Sequence, residues 1–249
     1  MSRYYYDLHV HSCLSPCADE DMTPANIAGM AALNGLGIVA LTDHNSTKNC
    51  PAFFKQAKRL GIIPIAGMEL TTAEDVHVIC LFRTLRDAMA FDTFVEERRP
   101  QIENRIDIFG NQTLIGDDDE PIGEYPRLLI HASSLSLDDA YREVIARGGA
   151  CYPAHIDRPA NGTVATLGDF PASPSYTAYE LKDVGKDEEY RARFPLLNRL
   201  IRTVSSDAHT LGDIAEATHF FDLDDEPYSS DAVRGRMLDH LRGVAKDFS

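Results

Sequence analysis

The chain predicts an α/β fold, a parallel sheet covered by helices, on three observations. Short apolar strand-like runs alternate with helical patterns along nearly the whole sequence. Its 249 residues, 44% apolar, suffice to bury a full core as one large domain. Histidines and acids recur at the ends of the strand-like runs, where barrels built from such units gather their chemistry. About seven strand units favour a closed barrel over an open sheet.

The elements follow in order. "YYYDLHVH" reads as a strand. "TPANIAGMAALNGLG" reads as a helix, with Thr23 as N-cap, Pro24 at its first position and glycines near its end. "IVALTDH" is a short apolar run ending in polar residues, "PAFFKQAKRLG" is helical, "IIPIAGMEL" is a strand and "VHVICLF" a buried strand. "LRDAMAFDTFVEERRPQIE" predicts one long helix. Residues 101–126, acidic and rich in Gly and Pro, break the rhythm and read as a surface insertion, hairpin or lid. The alternation then resumes with "RLLIHA" as strand, "SLDDAYREVIARGG" as helix, and "ACYPAH" and "YTAYELKDV" as strands. "DEEYRARFPLLNRL" follows as helix, "IRTVSSDAH" and "ATHFFDL" as strands, and "SSDAVRGRMLDHLRGVAKDF" as the closing helix.

Composition narrows the function classes. No apolar run is long enough to cross a membrane, and the first residues lack the apolar stretch of a signal peptide. Five scattered cysteines without a disulfide-scaffold spacing suit a reducing compartment, so a cytoplasmic location is expected. A net charge of −15 argues against broad nucleic-acid binding, because duplex affinity comes mainly from Lys and Arg on phosphates. It leaves room for a small phosphorylated ligand held through cations.

The chemistry lies in the histidines. His9 and His11, two apart on a strand, project from one face. Asp43 and His44 end the second strand, Glu69 lies in "AGMEL", His77 in "DVHVICLF" and His155 ends "CYPAH". Asp207 and His209 end "VSSDAH". His131, His219 and His240 read as structural. Imidazole mixed with carboxylate suits Zn²⁺, Mn²⁺ or Fe²⁺, and so many donors exceed one tetrahedral ion, so two or three divalent ions are expected. Cys13 and Cys17 beside the HxH pair invite a zinc-knot reading, but paired knuckles usually supply such sites, and this HxH sits on a strand. Cys50, Cys80 and Cys151 read as core.

"DLHVHS", "IVALTDH", "GMEL…VHV", the "AH" after a strand and "SSDAH", in this order, resemble the PHP family, named for its polymerase and histidinol-phosphatase members. The resemblance runs from about residue 4 to residue 221, most weakly between 82 and 155. It implies a distorted (β/α)7 barrel, a metal cluster at its mouth and phosphoester hydrolysis by water activated on the metals. Residue by residue, it implies that His9, His11, Glu69 and Asp207 surround a first ion. Glu69 bridges to a second ion held by His77 and His155, and His44 and His209 hold a third with one side chain from the loop after His11. Counting back from the Thr23–Pro24 helix start selects Asp19, with Cys17, Glu20 and Asp21 as competitors.

Glu69, Asp207, Asp43 and Arg158 are the expected catalytic set. Arg158 can donate to phosphate or pair with Asp157 or another acid. Asp43 either orients a ligand or accepts a proton, and Asp7 stands behind the ligands. The expected substrate is a small phosphorylated metabolite, a nucleotide-type or histidinol-phosphate-like mono- or diester. Two alternatives stand beside this: an amidohydrolase-like C–N hydrolase, for which Lys182 is the nearest lysine ligand, and a non-catalytic metal-stabilised module.

Overall fold

A computed structural model describes residues 1–244. β1 (Ser2–Val10) leads through α1 (Pro24–Leu33) to β2 (Ile38–Leu41), then through α2 (Cys50–Arg59) to β3 (Ile63–Thr71) and β4 (His77–Phe82). Thr23 caps α1 through its side chain, with Pro24 in the first turn, as its sequence dictates. After α3 (Leu85–Glu96) come a short α4 (Ile106–Phe109) and a hairpin of β5 (Thr113–Ile115) and β6 (Pro121–Glu124). The chain continues through α5 (Leu137–Ala146), β7 (Ala150–Pro153), α6 (Thr163–Leu167), β8 (Ala178–Glu180), α7 (Asp187–Arg193) and β9 (Ile201–Thr203). It ends with β10 (Phe220–Leu223) and α8 (Ser230–Leu241).

The expected α/β barrel is present in distorted form. β1, β2, β3, β4 and β7 are neighbours in one sheet, and β8 pairs with β9. The Ile156 N–H donates to the Glu180 carbonyl at 3.0 Å, linking the end of β7 to β8, and a bridge between Val10 and Ala208 returns from the segment after β9 to β1. Those contacts carry seven strands round a common interior. β10 lies outside this circle, antiparallel to the first residues of β1.

The sheet is not all-parallel as the alternating pattern predicts. β4 runs antiparallel to β3 and to β7. Residues 72–76 separate β3 from β4, too few for a crossover helix, and the Thr72 N–H donates to the Val76 carbonyl at 2.9 Å to close the turn. Other expectations fail locally. The long helix stops at Glu96, ahead of Pro100. "RLLIHA" forms no strand: side chains satisfy its backbone, Gln112 Oε1 accepting from the Leu129 N–H and Asn45 Nδ2 donating to the Leu129 carbonyl. "YTAYELKDV" is a strand only over Ala178–Glu180, because Asp157 accepts the N–H groups of Lys182 and Asp183 at 2.8 and 2.9 Å. The end of the predicted closing helix, beyond residue 244, lies outside the described residues.

Side-chain alternation divides the core in two. Val39, Leu41, Ala66, Met68, Val78 and Cys80 face the helices. Ile38, Ala40, Ile63, Ile65, Ile79 and Leu81 face the barrel interior, joined from below by Val233, Met237 and Leu238 of α8. Gly67 belongs to this inner series. A Cβ there would lie 2.8 Å from Thr42 Cγ2 and 2.9 Å from Leu81 Cδ2, so only glycine lets the wall close just below Glu69.

Candidate metal centre

The inner alternation, followed upward, turns polar. On β3 the series Ile63, Ile65, Gly67 ends at Glu69, and on β4 it runs from Leu81 and Ile79 to His77. His77 starts its strand rather than ending it, and the antiparallel pairing of Thr71 with His77 brings it to the same mouth as Glu69. β1 needs a device. Tyr6 and Leu8 face inward, so His9 and His11 would face out, but a register shift between Asp7 and Val10 reverses the alternation. Val10 then joins the outer core, and the two histidines turn inward. His155 and Asp207 reach the site on left-handed backbone, with φ of 23° and 51°. For residues other than glycine such conformations cost about 1–3 kcal/mol each and cluster at functional sites.

The donors converge on Glu69, which is fully buried. His77 Nδ1 and His155 Nε2 approach its Oε1 at 2.7 and 2.9 Å, and His44 Nδ1 approaches Oε2 at 3.0 Å. His9 Nε2 and His11 Nε2 lie 3.1 Å apart, each within 3.4 Å of Glu69 and of Asp207 Oδ1. His11, His44 and His209 form a third group with converging nitrogens. Burial opposes ionisation of Glu69, yet His77, His9 and His44 hold its carboxyl well below the usual range. Burial would lower His44, but Glu69 raises it to about 9, with a smaller contribution from the Cys17 thiol. His209 falls to about 4, through burial and the neighbouring His11.

These residues fit divalent cations. Glu69 Oε2, Asp207 Oδ1 and His44 Nδ1 are buried without a properly aligned hydrogen-bond partner, although nitrogens and oxygens crowd them at 3.0–3.4 Å. Lone pairs pointing at one another are costly unless a proton or a cation lies between them. Two such groups share Glu69, and two share His11.

The loop after His11 departs from expectation. Asp19 is exposed and stands outside the three donor groups, and its backbone N–H donates to the His209 carbonyl at 2.9 Å. Glu20 accepts from Asn111 Nδ2 at 2.8 Å, and Asp21 is exposed. The loop's acids thus stand outside the donor groups, as does the exposed Cys17.

Asp43 is not placed among the reacting groups. It accepts from the Ser12 N–H and both the Ser12 and Ser15 hydroxyls at 2.7–2.8 Å, and Ser15 Oγ lies 3.0 Å from His11 Nδ1. Asp43 is thus joined to His11 by hydrogen bonds through Ser15. Asp7 accepts the N–H groups of Ser206 and Ala215, tying the Asp207 segment to β1. Arg158 donates to Asp207 Oδ2 at 2.8 Å rather than to Asp157, whose oxygens hold the turn at Lys182 and Asp183. Lys182 donates to the Ser206 carbonyl at the rim and is no part of the donor groups.

One buried carboxylate was not expected. Glu180 ends β8, and its Oε1 lies 2.9 Å from His9 Nδ1. The inner position at the end of the short strand "AYE" is the same signal that marks Glu69, and "YELKDV" carries it in plain sight.

The PHP domain model matches residues 7–172. The chain belongs to the PHP family. This PHP chain is 26% identical over 166 residues to the 5'-3' exoribonuclease Rnm of Salmonella typhimurium, a match covering 59% of the chain and 56% of that protein. It thus spans about half the length of that relative. The lesion-specific endonuclease PfuEndoQ from Pyrococcus furiosus superposes with a TM-score of 0.62 at 18% identity, over 98% of this chain and 57% of that one. A putative metal-dependent phosphoesterase from Bifidobacterium adolescentis superposes with a TM-score of 0.54 at 19% identity, over 83% and 88%. At such identities the superpositions establish the fold. Relatives named as nucleases and phosphoesterases agree with the expected class, a metal-dependent phosphoric ester hydrolase.

They overturn the expected partner. A small phosphorylated substrate, with nucleic acid set aside, does not match relatives named as an exoribonuclease and a lesion-specific endonuclease. The error was to read a whole-molecule charge as a local one. The −15 sums the entire surface, whereas the mouth presents Arg158 and Lys182 above a centre built for cations.

Proposed function

We propose that this chain hydrolyses phosphodiester bonds of nucleic acid with divalent metal ions bound at the barrel mouth. The observation carrying this reading is the convergence of His9, His11, His44, His77, His155 and His209 on Glu69 and Asp207, with Glu69 shared between donor groups. His9, His11, Glu69 and Asp207 would hold one ion, and Glu69 with His77 and His155 a second. His44 and His209 would hold a third, in a group they share with His11. Bound divalent ions, whether Zn²⁺, Mn²⁺ or Fe²⁺, supply an acidified water and neutralise phosphoryl charge.

The chain's own groups orient the rest. Asp207 offers Oδ1 to the cluster and Oδ2 to Arg158, so the carboxylate links the centre to the rim. Arg158, about half exposed, can turn its remaining N–H groups to the non-bridging oxygens of a strand entering from solvent. Residues 101–126 pack against the loop that follows His11 and the start of α1. The Thr113 N–H donates to the Cys13 carbonyl, and Asp119 accepts from Thr23 Oγ1 and the Ala25 N–H. We read the chain as one domain in which this segment sets what enters.

Among the described residues no helix is long and apolar enough to cross a membrane. Five unpaired cysteines support a cytoplasmic location.

The test is incubation with Mn²⁺ and end-labelled single-stranded and duplex RNA and DNA, with products resolved on denaturing gels. Shortened strands from the wild-type protein, absent with Glu69→Gln, are expected. Intact strands in every case, with metal content verified, would refute the reading.

A further inference from the structure

Glu180 lies fully buried on the wall facing β1, and no expected role accounts for it. Its Oε1 is engaged twice, by His9 Nδ1 at 2.9 Å and by the His155 backbone N–H at 3.1 Å. Its Oε2 is buried without a partner. Burying a carboxylate is costly unless polar groups compensate it, and both compensating groups here belong to expected metal ligands, one on β1 and one just beyond β7.

The position relative to the His9 ring restricts the role. Nδ1 faces Glu180, whereas Nε2 lies 3.1 Å from His11 Nε2, 3.3 Å from Glu69 and 3.4 Å from Asp207. The imidazole therefore stands between Oε1 and the donor set, and Glu180 is absent from all three donor groups. An imidazole can offer Nε2 to a cation only if that nitrogen carries no proton, and an acceptor at Nδ1 enforces this arrangement. His11 has a parallel support, Ser15 Oγ at its Nδ1 and Asp43 behind the serine.

We propose that Glu180 is a positioning residue of the metal centre, an acceptor that keeps the proton of His9 on Nδ1 while anchoring the backbone of His155. This rests on reading the cluster as a metal centre and is independent of the substrate. The second contact matters because His155 sits at φ 23°, a conformation needing restraint. One carboxylate thus aligns ligands from opposite walls.

The experiment measures zinc affinity by chelator competition for the wild-type protein, Glu180→Ala and Glu180→Gln. It also records the imidazole N–H resonances of the zinc-loaded wild type. The expected resonance is a His9 Nδ1–H, with Nε2 bound. Glu180→Ala should weaken binding about 10- to 100-fold, the range for loss of a group supporting a ligand. Glu180→Gln retains an acceptor oxygen and should keep most of the affinity. Wild-type affinity in Glu180→Ala, an equal loss in both variants, or a His9 Nε2–H in the loaded protein would each overturn the proposal. Should Glu180→Ala fail to fold, the glutamine variant and the wild-type resonance still decide. Absence of zinc binding by the wild type would instead refute the metal-centre reading itself.

Discussion

The two ends of the barrel interior are built on the same strands and carry opposite chemistry. Towards the closed end Ile63 and Ile65 of β3 and Leu81 of β4 pack in one apolar cluster with Val233, Met237 and Leu238 of α8. Four residues beyond Ile65 and Leu81 on the same face, Glu69 and His77 meet in a cluster of buried charge. The closed end supplies stability through apolar burial. The mouth crowds buried carboxylates against imidazoles, an arrangement that protons on the rings or bound cations would satisfy. A single alternating strand thus contributes to both without one compromising the other.

Four variants and a metal-removal experiment would break or sharpen this division. The largest effect is expected from Glu69→Gln, which should lower turnover by at least the about 10²–10³-fold typical of losing one preorganised electrostatic group. Circular dichroism should show the fold retained. Full activity would remove Glu69 from the centre. Next, Ile65→Ala on the same strand should cost about 2–5 kcal/mol in denaturant unfolding. The number of ions per chain should not change, and a loss of ions would mean that the two ends are coupled.

Stripping metal with a chelator should lower the melting temperature. An ion present at about 100 times its Kd stabilises by about 2.7 kcal/mol, and each kcal/mol moves a chain of this size by about 2–4 °C. A melting curve indifferent to chelation and to added zinc would argue that the mouth is satisfied without cations.

The outer features should respond less. Arg158→Ala should raise KM for an oligonucleotide about tenfold, the loss of one charge-assisted hydrogen bond, with a smaller change in kcat. An unchanged KM would return Arg158 to structural pairing with Asp207. Asp19→Ala, the smallest change, should leave metal content as in the wild type, and loss of one ion would restore Asp19 as a ligand.

The strand-end histidines and acids were legible because interior alternation and strand termini are local properties of sequence. Glu69, His77 and Asp207 could be marked before any coordinates. What the sequence does not carry is direction. The antiparallel course of β4 depends on a turn too short to cross over, and the bulge in β1 that turns His9 and His11 inward leaves no residue signature. Asp19 lies exposed and outside the donor groups, because position in a loop does not fix where a side chain points. Its neighbour Glu20 accepts from Asn111 Nδ2. Glu180 escaped because its strand was read too long, which hid its place at the strand's end.

The number of metal ions per chain, measured by elemental analysis after reconstitution with Mn²⁺, Fe²⁺ and Zn²⁺ offered together, tests the central claim most directly. Two or three ions per chain are expected from the three converging donor groups. One ion or none would contradict the account.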